Sequence, residues 1–123
     1  MLTEKDYCDY ETCVALKELG YVGTGEECSY FGAYFNNGED IFSDDLNNNE
    51  IAVNEYLRAP LFLAQKWLRE EKGVVVLVHH LMTQEGDWEW EISYRYRSKD
   101  MYHSYEEALS EGIEEAIKIL KEK

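Results

Sequence analysis

Between Lys17 and Arg58 the chain has no basic side chain, while Glu18, Glu26, Glu27, Glu39, Asp40, Asp44, Asp45, Glu50 and Glu55 all fall inside that interval. Other shortages are as informative. A single proline, Pro60, and eight glycines in 123 residues exclude a low-complexity or collagen-like chain. The longest apolar run, Val74 to Val78, is far short of the roughly 20 residues that a membrane helix needs. Met1 to Asp6 carries no apolar stretch of the kind a secretory signal requires, so the expected location is cytoplasmic. Cys8, Cys13 and Cys28 form an odd set with no paired CxxC spacing. That argues against a disulfide framework, and it lacks the tight ligand spacing of a structural zinc site, even with His103 as a fourth donor. The thiols read as small, half-buried apolar residues.

What is present supports one folded domain spanning 1–123. The apolar fraction is 45% and the aromatic fraction 14%, a globular composition, and ten of the aromatics are tyrosine. A tyrosine ring with a hydroxyl that seeks water or a partner suits half-buried and surface positions. The net charge of −14 is unevenly spread. Residues 1–57 hold thirteen acids against two bases, residues 58–123 thirteen against ten. Such a field repels nucleic acid and anionic membrane, and it favours a basic protein as partner.

The order of elements follows from periodicity. Asp9 caps a first helix that runs from Tyr10 to Leu19 and stops at Gly20, with Cys13, Leu16 and Leu19 toward the core. Cys28–Phe35 reads as a strand, Asn37-Gly38 as a type I′ turn, and Asp40–Ser43 as the return strand before a polar loop, Asp44–Asn49. Pro60 opens a second helix, with Leu61, Leu63, Ala64, Trp67 and Leu68 as its stripe, ending at Lys72-Gly73. Val74–Met82 is apolar on both faces, as a central strand would be. Trp88, Trp90, Ile92, Tyr94 and Tyr96 then alternate with Glu89, Glu91, Ser93, Arg95 and Arg97. Read as one strand, this gives an aromatic side and a charged, solvated side, paired to Val74–Met82 through a turn near Gln84-Glu85-Gly86. Ser104 and Glu107 form a capping box ahead of a helix with Tyr105, Leu109, Ile113, Ala116, Ile117 and Leu120 on one stripe. The predicted fold is α+β, in the order α-β-β-α-β-β-α. It has one antiparallel sheet of about four strands, with the helices packed on its aromatic face. Val75, Leu77, His79 and Leu81 then form an apolar strip on the charged side, which needs a cover or serves self-association.

Several segments together resemble a known group. Tyr7, Cys8 and Asp9 open a helix that closes on Glu18, Leu19, Gly20 and Tyr21; Ala64 to Glu70 follow the proline; Trp88 to Ile92 precede Ser104 to Leu109, Gly112 and Ala116. The pattern, which spans most of the chain except residues 36–55, resembles short uncharacterised acidic proteins of phages and mobile elements of gut bacteria. The resemblance implies an accessory protein of a mobile element and brings no activity, cofactor or catalytic residue.

Candidate chemistry is sparse. Asp45, Asn47 and Asn49 imitate the opening of a calcium loop, but Glu50 stands where the sixth position needs glycine and Tyr56 where the twelfth needs a carboxylate. His79 and His80 point to opposite faces and cannot share an ion; at least one reads as a hydrogen-bonded structural histidine. Glu89 and Glu91 beside Arg95 and Arg97 read as cross-strand charge pairing on an exposed face. No catalytic, cofactor or metal residue is therefore assigned. The partner-binding candidates are Glu39, Asp40, Asp44, Asp45, Tyr30 and Tyr34. The expected role is a non-enzymatic accessory or protein-interaction module. The alternatives are an acidic mimic of DNA that inhibits a nucleic-acid enzyme, and a small enzyme or metal-binding protein whose site is assembled from scattered residues.

Overall fold

The computed structural model describes residues 2–21, 23, 27, 30–35, 40–41, 55–81, 87–93 and 95–122. The chain is α+β and divides into two compact units: Tyr7–Pro60, and Leu61–Lys123 together with Met1–Asp6.

In the Tyr7–Pro60 unit, helix α1 (Tyr10–Glu18) begins where the sequence places its cap: the Asp9 carboxylate accepts from the Thr12 amide at 2.8 Å. It ends at Gly20, whose φ of 113° only glycine adopts freely. There the Gly20 amide donates to Lys17 O (3.0 Å) and the Tyr21 amide to Leu16 O (2.8 Å), so two terminal carbonyls find partners. Cys13 and Leu16 are buried as expected, Leu19 half-buried.

Three short strands follow: β1 (Ala33–Phe35), β2 (Asp40–Ile41) and β3 (Glu55–Leu57). They form an antiparallel sheet with β1 in the centre. Ala33 stands opposite both Ile41 and Leu57; Tyr34 stands opposite Asp40 and Tyr56. The expected strand from Cys28 is corrected here, because Glu27, Tyr30 and Phe31 have helical backbone. Gly32, with φ 86°, turns the chain out of that conformation into β1, so the strand starts five residues late. Asn37-Gly38, Phe42, Ser43 and the Asp44–Asn49 loop lie outside the described residues. The β3 strand has no counterpart in the sequence reading; three residues are too few to show a period.

In the other unit, helix α2 (Leu61–Lys72) starts directly after Pro60 and buries Leu61, Ala64 and Leu68. Strands β4 (Val76–His80), β5 (Trp88–Ile92) and β6 (Tyr96–Arg97) form a second antiparallel sheet in that order, and helix α3 (Tyr105–Lys121) packs against β4 and β5. The Ser104 hydroxyl accepts from the Glu107 amide at 3.1 Å and caps α3, which buries Leu109, Ile113, Ala116 and Ile117; of the rest of the expected stripe, Leu120 is half-buried and Tyr105 exposed. At Gly112 the helix lies tight against the sheet. A Cβ there would stand 2.9 Å from Val76 Cγ1 and 3.0 Å from Trp90 Cβ.

The β4–β5 pairing is as expected, with Val76 opposite Ile92 and Val78 opposite Trp90. The turn residues 84–86 lie outside the described residues. Two expectations change. Among the described residues, a single sheet of about four strands becomes two sheets of three. The ten-residue alternation Trp88–Arg97 is also not one strand. Ser93 sits at φ 50°, the Arg95 amide donates to Ile92 O at 3.0 Å, and the chain folds back so that Glu91 faces Arg97 and Ile92 faces Tyr96. Ser93 is held there by its own chemistry: its hydroxyl accepts from the Val75 amide at 3.2 Å and its amide donates to Val75 O at 2.8 Å. The continuous aromatic row therefore breaks: Trp90 and Ile92 are buried, Trp88 half-buried, and Tyr96 exposed.

Candidate functional site

Of the partner-binding candidates, Glu39, Asp44 and Asp45 lie outside the described residues, as do Asn47, Asn49 and Glu50 of the calcium-loop pattern. Asp40 is placed by its backbone in β2, opposite Tyr34. Tyr30 and Tyr34 belong to two aromatic clusters in the Tyr7–Pro60 unit.

Tyr30 is 79% exposed. Its ring meets Phe31 edge-on at 4.8 Å between centroids, Phe31 meets Tyr7 at 6.3 Å, and the Arg58 guanidinium lies 4.0 Å over the Tyr7 ring. Tyr34 is half-buried; its hydroxyl donates to Cys8 O at 3.2 Å and its ring meets Tyr10 at 5.9 Å. Tyr10 in turn meets Tyr56 at 5.8 Å, and Lys17 Nζ lies 5.0 Å over Tyr56. Every ring pair is T-shaped, the arrangement that sets a positive ring edge against a negative face. Lys17 and Arg58 are the sole bases of residues 7–60, and each lies over a tyrosine face. Such contacts contribute about 0.5–1 kcal/mol each at exposed sites.

A third tyrosine completes this unit's chemistry. The Tyr21 hydroxyl donates to Glu27 Oε2 at 3.2 Å, and burial first, then the Glu27 charge, pushes its phenol well above its ordinary pKa. Cys8 and Cys13 are buried free thiols; Cys28 lies outside the described residues.

The charged side of the β4–β5–β6 sheet corrects the reading of an exposed face. Glu91 is only 7% exposed. Its Oε1 meets His79 Nε2 at 2.8 Å and Arg97 Nη2 at 3.6 Å, while Glu89 Oε1 is 4.0 Å from Arg97 Nη1. Charge pairing across strands is present, and His79 is a hydrogen-bonded histidine. The carboxylate at its centre is nevertheless buried, and the paired arginine comes from the returning strand. The signal for this was the apolar strip: Leu77 stands directly opposite Glu91. A carboxylate beside a half-buried leucine loses water, so a cation and an imidazole must replace it. This cluster orients His79 and balances Glu91. Among the described residues no group of three or more His, Cys, Asp or Glu could hold a metal ion. Nor is any helix among them long and apolar enough to cross a membrane.

Compared with protein-family models, curated proteins and solved structures, the chain matches none.

Proposed function

We propose that this chain is a non-enzymatic interaction module that binds a basic protein through its Tyr7–Pro60 unit. The observation that carries the reading is Tyr30, 79% exposed at the open end of an edge-to-face aromatic array. Exposed tyrosine is a favoured anchor of protein interfaces, because a rigid ring offers large area at small entropic cost. The surrounding sequence supplies the choice of partner: residues 7–60 hold eleven acids against two bases, and both bases already lie over tyrosine faces. A basic surface answers that field, and its approach is accelerated by it. The reading takes the side of β5 that carries Trp88 and Trp90 as the face its helices seal, in keeping with the fit of Gly112 against Trp90.

The test is calorimetric titration of the intact chain into a panel of purified basic proteins at low and high salt. Binding should weaken with salt and fall by about tenfold or more in Tyr30→Ala, the loss expected for an interface anchor. Tyr96→Ala, an exposed ring of the other unit, should leave it unchanged. Binding that ignores both salt and Tyr30 would refute the proposal. The narrower reading, an imitation of the phosphate array of DNA, turns on Glu39, Asp44 and Asp45, and competition by duplex DNA for the same partner separates it.

A further inference from the structure

The aromatic row from Tyr7 through Phe31 to Tyr30 ends differently at its two ends. At the inner end a cation covers the ring: the Arg58 guanidinium carbon lies 4.0 Å from the Tyr7 centroid. Backbone pairing fixes that stack. Tyr7 and Pro60 form an antiparallel bridge, the Cys8 amide donates to Ala59 O at 2.8 Å, and the Arg58 amide donates to Gly32 O at 3.1 Å. Among the described residues Arg58 Nε is buried with no hydrogen-bond partner, so beside that nitrogen the ring face stands in for an acceptor.

At the outer end the ring is open. Tyr30 is 79% exposed, and its contact with Phe31 is edge to face, 72° between planes and 4.8 Å between centroids. A contact of this kind takes up one face of one ring, so at least one face of Tyr30 stays free. Among the described residues no cation lies over it. A free phenol face carries the negative part of the ring quadrupole and attracts positive charge. The eleven acids and two bases of residues 7–60 draw cations to that face and repel an anionic ligand.

Hydration decides between the two cationic side chains. At a ring this exposed an ammonium keeps its tightly held water, whereas the planar, weakly hydrated guanidinium stacks flat and still offers its nitrogens to water or carboxylates. The same unit shows the difference in reach: Arg58 comes to 4.0 Å from its ring, while Lys17 Nζ stays 5.0 Å from Tyr56.

We infer that Tyr30 seats an arginine of the basic partner, its guanidinium stacked on the open Tyr30 face as Arg58 is stacked on Tyr7. This rests on the reading of the Tyr7–Pro60 unit as a binder of basic protein and adds the residue type that the unit selects.

Oligoarginine and oligolysine peptides of equal length, titrated into the intact chain at one ionic strength, test the assignment. Oligoarginine binds the more tightly. Tyr30→Leu keeps an apolar side chain but has no ring face, and it lowers the oligoarginine affinity by about two- to fivefold more than that of oligolysine. Tyr30→Phe keeps the face and keeps the preference. With the unmodified chain, nuclear Overhauser contacts join the arginine Hδ protons to the Tyr30 ring. Equal losses for the two peptides in Tyr30→Leu overturn the inference and leave a Tyr30-dependent basic interface standing. A preference lost in Tyr30→Phe overturns it as well, because the hydroxyl and not the face would then carry it. Failure of oligoarginine to bind also overturns it, while titration with folded basic proteins decides the broader reading by itself.

Discussion

The two units use opposite means to hold together. Leu61–Lys123 relies on length and aliphatic fit: α3 has seventeen residues, β4 and β5 five each, and Val76, Ile92, Leu109 and Ile113 are buried between them. Tyr7–Pro60 has a nine-residue helix and strands of two or three residues; around the buried Cys8, Cys13, Leu16, Leu57 and Ala59 it places half-buried tyrosine rings held edge to face, with Tyr30 exposed. In the first unit burial is non-directional and tolerates small shifts. In the second, each hydroxyl needs an acceptor, as Tyr34 finds Cys8 O and Tyr21 finds Glu27.

Substitutions can break that contrast. The largest effect is expected from Ile113→Ala, a fully buried side chain, at about 2–5 kcal/mol, read as a lower urea midpoint at unchanged slope. Gly112→Val should come next, at about 3 kcal/mol, because the added carbons meet Val76 and Trp90 where a single Cβ already stands 2.9 Å from its neighbour. A Gly112→Val chain as stable as its parent would show that α3 can lift off the sheet freely. In the aromatic unit, Tyr34→Phe keeps the ring and removes one hydrogen bond, so about 1 kcal/mol should be lost. A loss as large as that of Ile113→Ala would mean that the hydroxyls, not the rings, carry this unit.

The smallest effect is a slope in pH. Tyr21 titrates near 10.0 when unfolded and higher when folded, raised by burial and then by Glu27. Its contribution is fully present below pH 10. Above that the unfolded chain loses the proton first, so stability falls as pH rises toward the folded value. Tyr102 in the other unit is raised too, chiefly by desolvation. Tyr21→Phe should remove part of the alkaline slope in urea unfolding, and Tyr102→Phe a further part. A slope untouched by both would place its origin elsewhere.

The same contrast explains what could be read in advance. Both capped helix starts, at Asp9 and Ser104, were legible because a cap is a local event: one side chain reaches an amide three residues on. The α3 stripe and the β4–β5 pairing were legible because long periods average out exceptions. The fold-back after Ile92 was not, because alternation through Ser93 and Tyr94 is equally compatible with one strand or a hairpin. What decides is a serine held at positive φ by Val75, eighteen residues away. Glu91 was misread for the same reason, since its burial depends on the partners opposite it. Tyr30 and Tyr34 are partner-binding candidates on composition and charge alone; Tyr30 is exposed, and Tyr34 is half-buried and tied to Cys8.

The reversal at Ser93 makes loop length the variable that keeps Glu91 neutralised. Successive side chains alternate faces, so inserting or deleting one residue between Ile92 and Tyr96 would rotate β6 by half a period. Arg97 would then project on the side of Trp90 and Ile92, and its place beside the carboxylates would fall to Tyr96 after an insertion or to Ser98 after a deletion. Substitutions that preserve the reversal at Ser93 leave the register, and with it the ion cluster, intact, whereas a single added codon would dismantle it.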